Sequence, residues 1–110
     1  MHFTKIVLAA SALMAVASAQ ALDAAAAKAL AAKSACLACH AVDKKLVGPS
    51  YKDVAAKHKG QAGAVEKVAA RIKSGGAGIY GPVPMPAQPA LKDDELKLLA
   101  AWVLAGAPDK

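Results

Sequence analysis

Cys36-Leu37-Ala38-Cys39-His40 decides the reading of this 110-residue chain. The stretch has the form C-x-x-C-H, the attachment signature of a c-type haem. Residues three apart on a helix share a face, so both thiols can reach the two vinyl groups of one haem and add across them as thioethers. The histidine that follows then projects toward the iron and offers an imidazole nitrogen. Two other chemistries fit a C-x-x-C pair. A thiol–disulfide redox site belongs with alternating strands and helices, and no strand runs can be read here. A closed zinc site takes four ligands. The chain has two cysteines and three histidines, and His2 lies in a segment expected to be removed.

Outward from the motif toward the N-terminus, Lys5 precedes an unbroken small-apolar run from Ile6 to Val16. Ala17-Ser18-Ala19 and Ala19-Gln20-Ala21 both fit an A-x-A cleavage rule. The run is shorter than the ~20 apolar residues of a membrane span. Residues 1–21 are therefore expected to be a cleaved secretory signal, with Ala19 as the other cleavage point and an uncleaved anchor as the alternative. Residues 22–110 form one domain. Export to the periplasm agrees with attachment of the haem outside the cytoplasm, and no stable membrane insertion is expected after cleavage.

The exported part is short and rich in alanine, with one Trp, two Tyr and no Phe. So small a domain buries little apolar surface and often needs a staple, which a haem would supply. Fourteen Lys and Arg stand against eight Asp and Glu, a net charge of +6. Nucleic acid is a poor partner for an exported chain without stacking aromatics. Long-range steering toward acidic redox proteins is the functional reading of the lysines, and a solvated surface the plain one.

Four helices are expected. Asp23 can cap one that runs through Leu30 and Ala31 into the motif. Ser50-Tyr51-Lys52-Asp53 resembles a capping box opening a short helix that ends near Gly60. Val65, Val68, Ala69 and Ile72 give a third helix one apolar face, and Gly75-Gly76 stop it. Asp93-Asp94-Glu95 suit the dipole at the start of a fourth. Its stripe is Leu96, Leu99, Ala100 and Val103, and Gly106 and Pro108 end it. Between the last two helices lie seventeen residues, Gly75 to Leu91, too long a loop for so small a domain unless it has a task.

That loop carries Pro84-Met85-Pro86. Met1 and Met14 leave with the signal, so Met85 is the sole methionine of the exported chain. Buried methionines usually fill gaps. A single one held between prolines, forty-five residues after His40, reads as the second iron ligand. His58 is the competitor, placed by its neighbours Lys57 and Lys59 on a solvated helix end.

Val47-Gly48-Pro49-Ser50-Tyr51-Lys52-Asp53-Val54-Ala55-Ala56-Lys57, Gly60-Gln61-Ala62-Gly63, Arg71-Ile72-Lys73 and Gly78-Ile79-Tyr80-Gly81-Pro82-Val83-Pro84-Met85-Pro86 carry a closer likeness. Together they resemble the small bacterial class I cytochromes c of the c-551 type, over nearly the whole exported chain. The resemblance implies an all-α, class I cytochrome c fold of about four helices around one covalent haem c. It implies a monomeric periplasmic carrier of single electrons, not an enzyme, working between an electron donor and a terminal reductase or oxidase of a respiratory or photosynthetic chain. A haem enzyme or gas sensor with a labile axial position is the alternative.

By the same pattern, His40 and Met85 are the iron ligands and Cys36 and Cys39 the thioether anchors. The Pro49 carbonyl accepts from the outer nitrogen of His40, and Arg71 pairs with a haem propionate. Tyr80 stands where the family often has a tryptophan donating to that propionate. Gln88 takes the place of an asparagine donating near the methionine sulfur. Two departures are visible. Ala87-Gln88-Pro89-Ala90 is one residue longer than the pattern, and Ala31 and Ala35 replace larger or more flexible residues.

Overall fold

The computed structural model describes residues 22–110, so the expected signal, residues 1–21, lies outside the described residues. Within them are four α-helices and two isolated antiparallel bridges, with no strand. The all-α expectation is met. No helix among the described residues is long and apolar enough to cross a membrane.

Helix α1 spans Ala24–Lys33. The Asp23 carboxylate accepts from the Ala26 N–H at 2.9 Å and caps it. Ala24, Ala27 and Ala31 are its buried face, three and four residues apart. Here the sequence reading needs correcting. The helix does not run into the motif but ends at Lys33, and Ala35 takes left-handed dihedrals at φ 61°. Cys36–Ala38 then form a separate 3-10 turn. Residues i and i+3 also lie over one another in 3-10 geometry.

Helix α2, Tyr51–Lys57, opens where the Ser50 hydroxyl accepts from the Asp53 N–H at 3.0 Å. Ser50 is the one buried polar residue among the described residues, and that cap satisfies it. Helix α3, Ala64–Ser74, buries Val68, Ala69 and Ile72 and ends at Gly75. Helix α4, Asp93–Leu104, buries Leu96, Leu99, Ala100, Trp102 and Val103. The Glu95 carboxylate accepts from the Lys92 N–H at 3.0 Å at its start.

Helix α4 is the common partner: α1, α2 and α3 each pack on it and not on one another. Trp102, 2% exposed, sits edge-on to Tyr51 of α2 and donates its indole N–H to the Pro108 carbonyl at 2.9 Å. Because α2 and α3 meet only through α4, a gap is left between them. The loop from Gly75 to Leu91 closes one side of that gap.

A candidate haem cleft

The gap is an open cleft with a mostly apolar lining, the character usual for small-molecule and cofactor sites. Tyr51 and Val54 of α2, Arg71 of α3 and Val103 of α4 form part of its lining. The Cys39–Pro49 segment supplies one side and the Gly76–Pro86 loop the other.

His40 is held in three ways. Its Nδ1–H donates to the Pro49 carbonyl at 2.7 Å, and a carbonyl can only accept, so Nε2 is left as a lone-pair donor for a metal. Its ring stacks on Tyr51, 5.2 Å between centroids and 21° between planes. Gly48 closes behind it: a Cβ there would lie 2.5 Å from His40 Cε1, so no side chain fits without displacing the ring. The backbone confirms the register, with the Gly48 N–H on the Cys39 carbonyl at 2.8 Å and the Tyr51 N–H on the Ala41 carbonyl at 2.9 Å.

Both cysteines are free thiols, partly buried. Cys39 lines the cleft; Cys36 does not, packing against the core one 3-10 turn away. Burial raises the Cys36 pKa, and the Cys39 charge adds to the effect. Burial also pushes the Tyr51 phenol well up, again with a smaller contribution from Cys36. Cys36 and the Tyr51 phenol are thus electrostatic neighbours.

Met85 faces the same cleft and packs against the core. Its backbone exchanges two hydrogen bonds with Gly76, both 2.9 Å, which pinches the long loop into a closed ring. Gly75 makes that pinch possible. It has φ 64°, and a Cβ there would lie 2.4 Å from the Met85 carbonyl oxygen. Arg71 donates to the Gly75 and Ala77 carbonyls at 3.2 and 3.3 Å. It has no carboxylate partner among the described residues. A cation facing a cleft with only carbonyl partners is suited to an anionic group of a bound molecule.

The other two expected residues behave differently. Tyr80 lines the cleft, but its hydroxyl is bonded to His58 Nε2. Gln88 is not among the lining residues; its backbone N–H caps the end of α3 on the Ile72 and Lys73 carbonyls, both at 3.2 Å. His58 departs from the sequence reading. It is half-buried under the loop rather than solvated. Val54 and Val103 also line the cleft; the sequence placed Val103 on the apolar stripe of α4 and gave Val54 no part in the site. The mouth is rimmed by Val47, Ile79 and Val83, 54%, 44% and 56% exposed.

A nitrogen donor with its second nitrogen fixed, a thioether, two adjacent thiols, an apolar lining and an unpaired guanidinium suit a haem. No group of three or more His, Cys, Asp and Glu that could hold a bare metal ion occurs among the described residues. The family model for cytochrome c matches residues 24–107. A cytochrome c-551 from Pseudomonas aeruginosa is 60% identical over 70 residues, 64% of this chain and 66% of that protein. The chain thus matches a little under two thirds of that relative's length. A cytochrome c-552 from Hydrogenobacter thermophilus is 49% identical over 76 residues, 69% of this chain and 76% of that one. The crystal structure of Nitrosomonas europaea cytochrome c552 superposes with a TM-score of 0.69 at 42% identity, covering 72% of this chain and 98% of that one.

Proposed function

We propose that this chain, which belongs to the class I c-type cytochromes of the c-551 type, carries single electrons between redox proteins of the periplasm. The family's cofactor is one covalently bound haem c, and when bound it supplies a one-electron couple at its iron. Cys36 and Cys39 are the thiols for its attachment. His40 Nε2 and the Met85 sulfur are the ligand atoms on the two sides of the cleft. The observation that carries the reading is the His40 Nδ1–H bond to Pro49, which fixes the tautomer and aims the free nitrogen, with Met85 on the same cleft.

The remaining residues make electron transfer cheap in reorganisation. Pro49, Gly48 and Tyr51 hold the imidazole, and the Gly76 pinch holds the methionine backbone, so neither ligand moves as charge changes. With His40 and Met85 both holding the iron, no position would be left for a substrate. Arg71 offsets a negative group at the cleft, and Tyr51, Val54 and Val103 exclude water from its floor. The exposed apolar rim at Val47, Ile79 and Val83, with Lys45 on the same lining and the exposed Lys44 and Lys52 close by in sequence, is the contact face for a donor and for a terminal oxidase or reductase.

The test is stopped-flow re-oxidation of the reduced protein by purified periplasmic oxidases and reductases across a salt series. An acidic partner should react more slowly as salt rises, because exposed charges are screened beyond about 8 Å at physiological ionic strength. Lys44→Glu, Lys45→Glu and Lys52→Glu should slow it as well. Rates that ignore salt and the lysines but collapse with Val47→Glu or Val83→Glu make the contact apolar. A protein that no such partner re-oxidises is not a carrier.

A further inference from the structure

His58, just past the end of α2, is bonded on both sides of its ring. Nδ1 lies 2.9 Å from the Gln61 side-chain oxygen, and Nε2 meets the Tyr80 hydroxyl. The two rings are edge to face, 6.1 Å between centroids. An amide oxygen only accepts, so neutral His58 carries its proton on Nδ1 and offers Nε2 as an acceptor. The Tyr80 O–H is then spent on His58 and not on the cleft that Tyr80 lines.

We propose that His58 is a positioning residue that acts through Tyr80, turning the phenolic hydrogen toward itself when neutral and into the cleft, toward an anionic group beside Arg71, when protonated. The argument is a count of donors. Imidazolium donates from both nitrogens, so Nε2–H gives its hydrogen bond to the Tyr80 oxygen and the phenolic hydrogen turns to another acceptor. One solvent proton is taken up on Nε2, the electron comes from the redox partner, and no other bond changes. The Tyr80 phenol stays a donor through neutral pH, since burial raises its pKa more than the Arg71 charge lowers it.

Imidazole is the side chain that changes charge between about pH 5 and 8. The charged groups around the pair are cations. Lys57 holds its ammonium 5.4 Å from the Tyr80 ring centroid. Lys59 lines the groove beside His58, and Arg71 approaches from α3. Helix α4 presents only Leu104 to that groove. Lys and Arg keep their charge over this range, so His58 is the switching group. Its positive form favours the reduced cofactor, and by reciprocity reduction tightens its hold on the proton. The reduction potential therefore falls as pH rises through the His58 titration.

The proposal rests on the haem reading and on Arg71 and Tyr80 facing the haem carboxylates. The test takes the haem-loaded protein, follows the His58 imidazole by NMR in the ferric and ferrous states, and measures potential against pH. His58 should bind its proton more tightly in the ferrous state. The potential step should match the ratio of the two dissociation constants, about 59 mV per factor of ten for one electron. His58→Phe should remove the step, and Tyr80→Phe should shrink it while His58 still titrates. Identical His58 titrations in the two wild-type states overturn the proposal, and that result needs no variant to fold. So does a step that survives His58→Phe. If neither Tyr80→Phe nor Arg71→Gln moves the potential at any pH, the placement of the carboxylates fails and the proposal falls with it.

Discussion

His40 and Tyr51 show how single residues fix the site. The imidazole is bonded on one nitrogen, stacked on one face and backed by a glycine. The phenol beneath it is buried, and burial raises its pKa above its unfolded value near 10. The neutral form is therefore the one the fold keeps. Its contribution is full below about pH 10 and is lost as pH rises further, because the unfolded chain gives up the proton first. Unfolding followed by circular dichroism should show stability falling above that pH, with a shallower fall in Tyr51→Phe. His40, the thiols and Met85 were legible because a five-residue motif and a solitary methionine announce themselves locally. The His58–Tyr80 bond was not, because it joins residues twenty-two apart that meet only when the loop folds back. The backbone part of Gln88 was hidden for the same kind of reason. Spacing after Met85 cannot tell which atoms of a residue are used, and the backbone of Gln88 is committed to the end of α3.

Among the elements, the helices were readable from caps and periodicity, and their joints were not. Asp23, Ser50 and the Gly75 stop work as their residue types require. The break before the motif depends on Ala35 at φ 61°, a conformation that costs an L-residue roughly 1–2 kcal/mol and that no pattern of alanines signals. Ala35→Gly should raise the unfolding free energy by up to about 1 kcal/mol in denaturant titration. Prolines flank Met85 in the loop from Gly75 to Leu91, and its closure comes from the Gly76–Met85 pairing and the close approach at Gly75. Gly75→Ala meets both a left-handed φ and the Met85 carbonyl. It should cost about 1–3 kcal/mol, and carbon monoxide should reach the ferrous iron at denaturant concentrations where the wild type still excludes it.

On the scale of the molecule, three helices rest on α4 without touching one another, and much of their buried surface is alanine. The interior that would complete the core is the cleft. The haem is accordingly expected to be part of the fold as much as its cargo. A Cys36→Ala, Cys39→Ala protein made without haem should show no cooperative thermal transition by circular dichroism; a sharp one would show that α4 and its partners suffice. The central claim is that His40 and Met85 hold the iron from opposite sides of that cleft, leaving it nothing to do but exchange electrons. The measurement that bears on it most directly is the spin state and axial-ligand spectrum of the haem-loaded protein, before and after Met85→Ala. The wild type should be low-spin with a thioether–iron signature and no uptake of carbon monoxide. Met85→Ala should turn high-spin and bind carbon monoxide or cyanide readily. A Met85→Ala protein that keeps the wild-type low-spin thioether signature would contradict the account.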